Sequence, residues 1–221
     1  MTTYATGAGT RRALIEAAGE LAAETGFSNV STRAIARRAG ENAGSIHYHF
    51  GGKENLFEAV LLEATKPMRE EVLADVVAGY ETLLATVEGR ARALRIFVHA
   101  MIEALFRDEE PAWACRVVYQ VLRKAGPLRD FVVEKVVAPW LGAAEGLFRA
   151  IDPGLAEEEP LLHAFLVAMP IYFHADYMDV ILDRMGADVY GAAYLAKLED
   201  RIVWQTQLYF GLPCDGGERN R

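Results

Sequence analysis

Apolar residues recur three and four positions apart through most of the chain, and no stretch alternates as a half-buried strand requires, so the pattern predicts helices throughout. A first helix is expected from about Arg11 to Thr25, with Thr10 as its cap, Leu14, Ala18 and Leu21 on one face, and Gly26 just past its end. Phe27 then folds back onto that face. A second helix begins at Ser31, whose hydroxyl can accept from the N2 or N3 amide; it buries Ala34 and Ile35 and stops at Gly40. A third, of two turns, starts on Asn42 and ends at Gly51-Gly52, and Ile46 and Phe50, four apart, give it one buried edge. Two short capped helices about three residues apart have the spacing of a helix-turn-helix. Lys53-Glu54 opens a long fourth helix through Leu56, Phe57, Val60 and Leu61.

From Thr65 to Leu212 the chain again reads as helices, broken at Pro67, near Asp108 to Pro111, at Gly126-Pro127, at Asp152-Pro153-Gly154 and around Gly186 to Gly191. Leu94, Phe97, Met101 and Leu105 form one apolar stripe, and Trp113, Val117 and Leu122 another, with Arg116, Tyr119 and Arg123 beside it. Phe97, Met101, Trp113 and Tyr119 are candidates to floor an apolar chamber, where Arg116 and Arg123, seven apart, would meet an anionic group. Such stripes are more often plain core, and arginines on one face more often a surface ion-pair face. Leu162, Phe165, Val167, Met169, Tyr172 and Phe173 load almost every side of one late helix, while Leu195, Leu198, Ile202, Gln205 and Tyr209 recur along the next. That is more apolar surface than one partner helix covers, and two such helices from each of two chains would make a four-helix bundle.

Charge changes this picture only through its distribution. The chain of 221 residues carries a formal charge of -8, but Met1 to Lys66 hold seven basic and seven acidic residues and the remainder sixteen and twenty-four. Between Ser28 and Lys53 the balance is +3, from Arg33, Arg37, Arg38 and Lys53 against Glu41. A nucleic-acid-reading end joined to an acidic body fits that asymmetry. Two cysteines, Cys115 and Cys214, make neither a disulfide framework nor a zinc motif, so a reduced, cytoplasmic setting is expected. No basic-then-apolar signal segment opens the chain. The most apolar window, Leu161 to Leu182, is interrupted by His163, Pro170, His174, Asp176 and Asp179, which favours a buried helix over a membrane span.

The stretch Asn42 to Phe50 is dense in groups that touch nucleic acid: small residues first, then two imidazoles and a phenol, with Lys53 just beyond. The second helix of a helix-turn-helix enters the major groove with its N-terminal residues at the base edges. Asn42, Ala43, Ser45 and His47 are therefore the base-edge candidates, Asn42 for adenine unless capping uses it, and Ala43 for a thymine methyl. Thr32 and Arg33, at the start of the second helix, are placed for a phosphate. His47 and His49 sit two apart and point to different sides of a helix, which argues against one shared metal ion. A P-loop is excluded, because Gly52-Lys53 lacks the upstream glycine, His47 standing there, and Glu54 replaces the Ser/Thr. No Gly-x-Ser-x-Gly or dinucleotide fingerprint occurs, so neither an enzyme nor a cofactor is expected.

Taken in order, Gly26-Phe27, Ser31-Thr32, Ile35-Ala36, Ala39-Gly40, Tyr48-His49-Phe50 and Lys53-Glu54-Asn55-Leu56-Phe57 resemble the N-terminal domain of the TetR family of bacterial transcriptional regulators. The likeness runs from Thr10 to Leu62 and departs from the family pattern at Glu41, usually apolar, and at His47, often Tyr. It implies an all-α protein: a three-helix helix-turn-helix DNA-binding domain over 8–54, then a helical effector-binding and dimerisation domain over 55–214. By resemblance, Tyr48, His49 and Lys53 grip the DNA backbone. The dimer contact falls on the two late helices, through Phe165, Met169, Tyr172, Phe173, Leu195, Leu198, Ile202 and Tyr209. The implied function is a repressor that binds a palindromic double-stranded operator as a homodimer and is released by a small-molecule effector. A DNA-binding regulator that answers a protein partner, or no ligand, is the alternative, and an enzyme with catalytic groups scattered over the helical body is a remoter one.

Overall fold

Local capping sets where the N-terminal helices start and stop. The computed structural model describes residues 7–66, 83–106, 111 and 113–214, and those residues are helical with no strand. The first helix, α1, spans Gly7–Thr25, and a 3₁₀ turn at Phe27–Asn29 follows it. Next come α2 (Thr32–Ala39), α3 (Ala43–Phe50) and α4 (Lys53–Ala64). The Ser31 hydroxyl accepts from the Ala34 amide, and the Asn42 side chain from the Ser45 amide, each satisfying an otherwise orphan donor of the first turn. Gly40 and Gly51 close α2 and α3 at φ 69° and 76°, a left-handed conformation that costs glycine nothing sterically. Thr10 is not a cap: α1 begins three residues earlier, and the buried Thr10 hydroxyl donates instead to Glu41 Oε1 at 2.9 Å.

The later helices are α5 (Val87–Phe106), α6 (Ala114–Leu122), α7 (Pro127–Val132), α8 (Ala138–Ile151), α9 (Glu159–Asp176), α10 (Met178–Met185) and α11 (Ala192–Tyr209). The expected breaks at Gly126-Pro127, Asp152 to Gly154 and Gly186 to Gly191 are present, while the one at Pro67 lies outside the described residues.

Packing divides the described chain into two units, 7–66 with 111 and 113–135, and 83–106 with 136–214. The first unit therefore extends past residues 8–54 and includes α4, α6 and α7. In it α1 packs on α2, α4 and α6, and α7 packs on α4 and α6. The joint between α1 and α6 is close: the buried Trp113 ring lies over Gly19, and its indole N–H donates to Glu16 Oε1 at 2.9 Å. Phe27 meets Phe57 edge to face, with centroids 4.6 Å apart, which seats the 3₁₀ turn on α4.

In the second unit one apolar core gathers α5, α8, α9 and α11. Phe97 and Met101 are at its centre, and Phe97 stacks on Trp140 at 5.8 Å. The α9 helix is not buried all round. Its inner face, with Ala164, Val167, Ala168 and Ile171, belongs to the core, whereas Leu162, Phe165, Leu166, Met169 and Phe173 are exposed. Pro170 lies within α9, and α9 and α10 meet at a 72° bend; no single helix among the described residues is long and apolar enough to cross a membrane.

Candidate nucleic-acid interface

The α3 helix is held from three directions. Ile46 and Phe50 are buried beneath it, and Asn55 Nδ2 donates to the Phe50 carbonyl at 2.7 Å, tying its C-terminal end to α4. On its flank Glu41 accepts from Thr10 at one carboxylate oxygen and from the Ser45 hydroxyl, at 3.4 Å, at the other. One carboxylate thus joins α1, the turn and α3. What remains outward are two rows at i and i+4 spacing, Ala43 with His47 and Gly44 with Tyr48, all exposed. Tyr48 is 86% exposed and meets the His49 ring edge to face, with centroids 4.9 Å apart. Gly44 permits the cap itself, since a Cβ there would stand 2.9 Å from Asn42 Oδ1.

Several candidates sit differently from the sequence expectation. Ser45 is half-buried, and its hydroxyl is turned to Glu41 instead of a base edge. Asn42 Oδ1 is committed to the cap, which leaves its Nδ2 as the group free to read. His47 is fully outward, while His49 is half-buried beside Tyr48 and Phe50. Lys53 is also half-buried: its ammonium donates to the Val30 carbonyl at 3.2 Å and lies 5.3 Å over the Phe57 ring. Thr32 and Arg33 stand at the α2 N-terminus as expected, Thr32 half-buried and Arg33 exposed.

Positive charge around this face is sorted by pairing. Arg38 forms ion pairs with Glu20 at 2.8 Å and Glu24 at 3.2 Å, and the hydrogen bonds it donates to Glu24 and then to Glu20 raise its pKa. Arg33 and Arg37 are exposed and hold no ion pair among the described residues. Four apart on α2, they share one side, a signal present in the sequence that marks Arg37 as a further phosphate candidate. Arg11 covers the Phe50 ring at 5.1 Å, a contact that no local pattern predicts.

Residues 14–60 match the family model for bacterial regulatory proteins of the tetR family. The transcriptional regulator BetI of Cronobacter sakazakii is 35% identical over 163 residues, covering 72% of this chain and 71% of BetI. The chain belongs to the TetR family. SrpR of Pseudomonas putida, another transcriptional regulator, is 27% identical over 125 residues, 57% of this chain, and the match spans about half of SrpR, 53%. Among solved structures, a complex of AibR with isovaleryl coenzyme A and operator DNA superposes with a TM-score of 0.65 at 18% identity, covering 89% of this chain and 97% of AibR. A regulator from Mesorhizobium loti gives 0.57 at 20% identity, covering 93% and 98%. At those identities the likeness speaks for the fold.

The residues expected to line an effector chamber do not fall in one unit. Phe97 and Met101 are core residues of the second unit, while Trp113, Arg116, Tyr119 and Arg123 belong to the first. Trp113 is a packing residue on α1, filling the space over Gly19, and Arg116 and Arg123 are exposed. Of the residues expected at a dimer contact, Phe165, Met169, Phe173 and Tyr209 are exposed, while Tyr172, Leu195 and Leu198 are half-buried against the core. Ile202 points into that core, so it is closed to a partner.

Proposed function

We propose that the protein is a bacterial transcriptional repressor that binds a palindromic operator as a homodimer and is released by a small-molecule effector. The carrying observation is the outer face of α3: Ala43, Gly44, His47 and Tyr48 stand exposed on a helix whose ends are fixed by Asn42 and Gly51, beside the ungrouped charges of Arg33 and Arg37. Small side chains that allow close approach, with an imidazole and a phenol beside them, are groups that base edges and phosphates can use. Residues 8–54 do the reading in this account, and residues 55–214 supply effector binding and dimerisation, acting in the cytoplasm where the DNA is.

The second copy is placed on α9. Its exposed row of Leu162, Phe165, Leu166, Met169 and Phe173 edges a shallow groove of about 570 Å³, and a continuous apolar stripe of that kind marks an association surface. AibR, whose structure holds isovaleryl coenzyme A and operator DNA, supports both an operator and an organic effector as partners for this fold.

Footprinting over the DNA flanking the protein's own gene tests the reading. Two protected half-sites related by a dyad are expected, roughly 34 to 36 Å or a multiple apart, with two chains bound. Protection of one asymmetric site by one chain overturns it.

A further inference from the structure

A second feature of the first unit has no part in the reading above. Between the 3₁₀ turn after α1, the first turns of α4 and the α6–α7 corner lies a cavity of about 430 Å³. Its volume falls in the range of small-molecule sites, and its walls are mostly apolar, from Phe27, Phe57, Val121 and Leu128. Three cations reach it, Lys53, Lys124 and Arg129, against the two carboxylates of Glu54 and Glu58. Arg129 is engaged, its Nε donating to the Leu122 carbonyl and its guanidinium 4.0 Å from Asp130. Lys124 has no ion pair among the described residues, and Lys53 spends one of its three N–H donors on Val30.

The polar detail sits at Gln120. Its Nε2 donates to the Ala23 carbonyl at 3.1 Å, which fixes the amide's orientation, since only the nitrogen side can face a carbonyl. Its Oε1 is buried with no hydrogen-bond partner among the described residues, and Gly26, beside that oxygen, lines the same cavity. Buried acceptors are rarely left unpaired, and one at the wall of an apolar cavity is what a ligand's N–H or O–H would satisfy.

We propose that this cavity binds a compact apolar molecule carrying one anionic group and one hydrogen-bond donor. The anion sits between the Lys53 and Lys124 ammonium groups, the apolar body lies on Phe27 and Phe57, and the donor meets Gln120 Oε1. A consequence follows that rests on the DNA-reading role of α3 and α4. Lys53 starts α4 two residues after Gly51, where the family likeness has it grip a phosphate. An anion in the cavity holds that ammonium inward, so ligand and operator phosphate compete for one charge.

The probe is 8-anilinonaphthalene-1-sulfonate, an aromatic anion with a single N–H, titrated by fluorescence into the purified full chain without DNA. One saturable site per chain is expected. Leu128→Trp, which fills the cavity, should abolish that site, and Lys124→Glu, at an exposed position, should weaken it at least about fivefold. Absence of a saturable site, or titrations of Lys124→Glu that match the unaltered protein, overturns the proposal; the second outcome places the dye elsewhere. With the site filled, operator affinity should drop at least about fivefold, the lower end of ordinary coupling between sites. A filled site with unchanged operator affinity overturns the competition at Lys53 and leaves the cavity assignment standing, whereas failure of operator binding in the probe-free protein counts against the repressor reading alone.

Discussion

Gly19 of α1 should show a stabilising substitution turned destabilising by one neighbour. Alanine in place of glycine inside a helix normally gains about 1 kcal/mol. Here a Cβ would stand 2.5 Å from Cδ2 and Cε2 of Trp113 and 2.7 Å from Cε3, closer than carbon atoms approach. The indole cannot step aside easily, because its N–H is bonded to Glu16 and the ring is 5% exposed. Overpacking of this kind costs about 1 to 3 kcal/mol, so Gly19→Ala should be neutral to destabilising by about 2 kcal/mol. Trp113→Ala alone should lose about 3 to 5 kcal/mol. Once the ring is gone, Gly19→Ala should regain its ordinary benefit and raise the double variant above Trp113→Ala by about 1 kcal/mol. Urea unfolding of the four proteins, followed by helical circular dichroism, closes the cycle. If Gly19→Ala stabilises the protein with Trp113 in place, or the double variant is no better than Trp113→Ala, the ring does not rest on this glycine.

Further outcomes follow from the same geometry. Because the Ser45 hydroxyl is used by Glu41, Ser45→Ala should cost about 1 kcal/mol of stability and keep the base preference, whereas His47→Ala should change the preferred bases in selection from a randomised operator pool. Arg33→Ala and Arg37→Ala should each flatten the salt dependence of operator binding by roughly 0.9 in log-log slope, while Arg38→Ala, already paired with Glu20 and Glu24, should leave it alone. Burial lowers the pKa of His163 below its usual 6.5, only partly offset by Glu159, so the unfolded chain takes up a proton first. Stability should therefore fall as pH drops from about 6.5, by up to about 1.4 kcal/mol per pH unit, and His163→Phe should remove that slope in melting temperatures from pH 7.5 to 5.5. Leu166→Glu on the exposed side of α9 should yield folded monomers in sedimentation, while Ile202→Glu in the core should unfold the second unit.

The sequence was most legible where the deciding contacts are local. Ser31 and Asn42 cap the helices assigned to them because the bond they make reaches three residues, and Gly40 and Gly51 end those helices through their own φ. Thr10 carried the same cap signature and failed, because its partner, Glu41, is thirty-one residues away and the helix simply continues to Gly7. The setting of Ser45 was hidden for a related reason: Glu41, four residues back, accepts from its hydroxyl, and that contact depends on where α1 holds the carboxylate.

Apolar periodicity tells which face of a helix is covered and is silent about what covers it. Phe97 and Trp113 both belong to stripes, yet one is covered by Trp140 and the other by a bare stretch of α1 backbone, in different units. Along α11 a single run of spacing crosses two surfaces, so Ile202 turns inward to the core while Tyr209 stays 65% exposed. The cavity at Gln120 was the least accessible of all. Its wall is drawn from 26–28, 53–58 and 120–129, three segments with no shared period, and the residue that makes it chemically specific is a glutamine that sequence alone leaves indistinguishable from any solvated amide. Only the placement of Ala23 against Nε2 turns the opposite oxygen into an acceptor with no partner, and that placement is a property of α1 packed on α6.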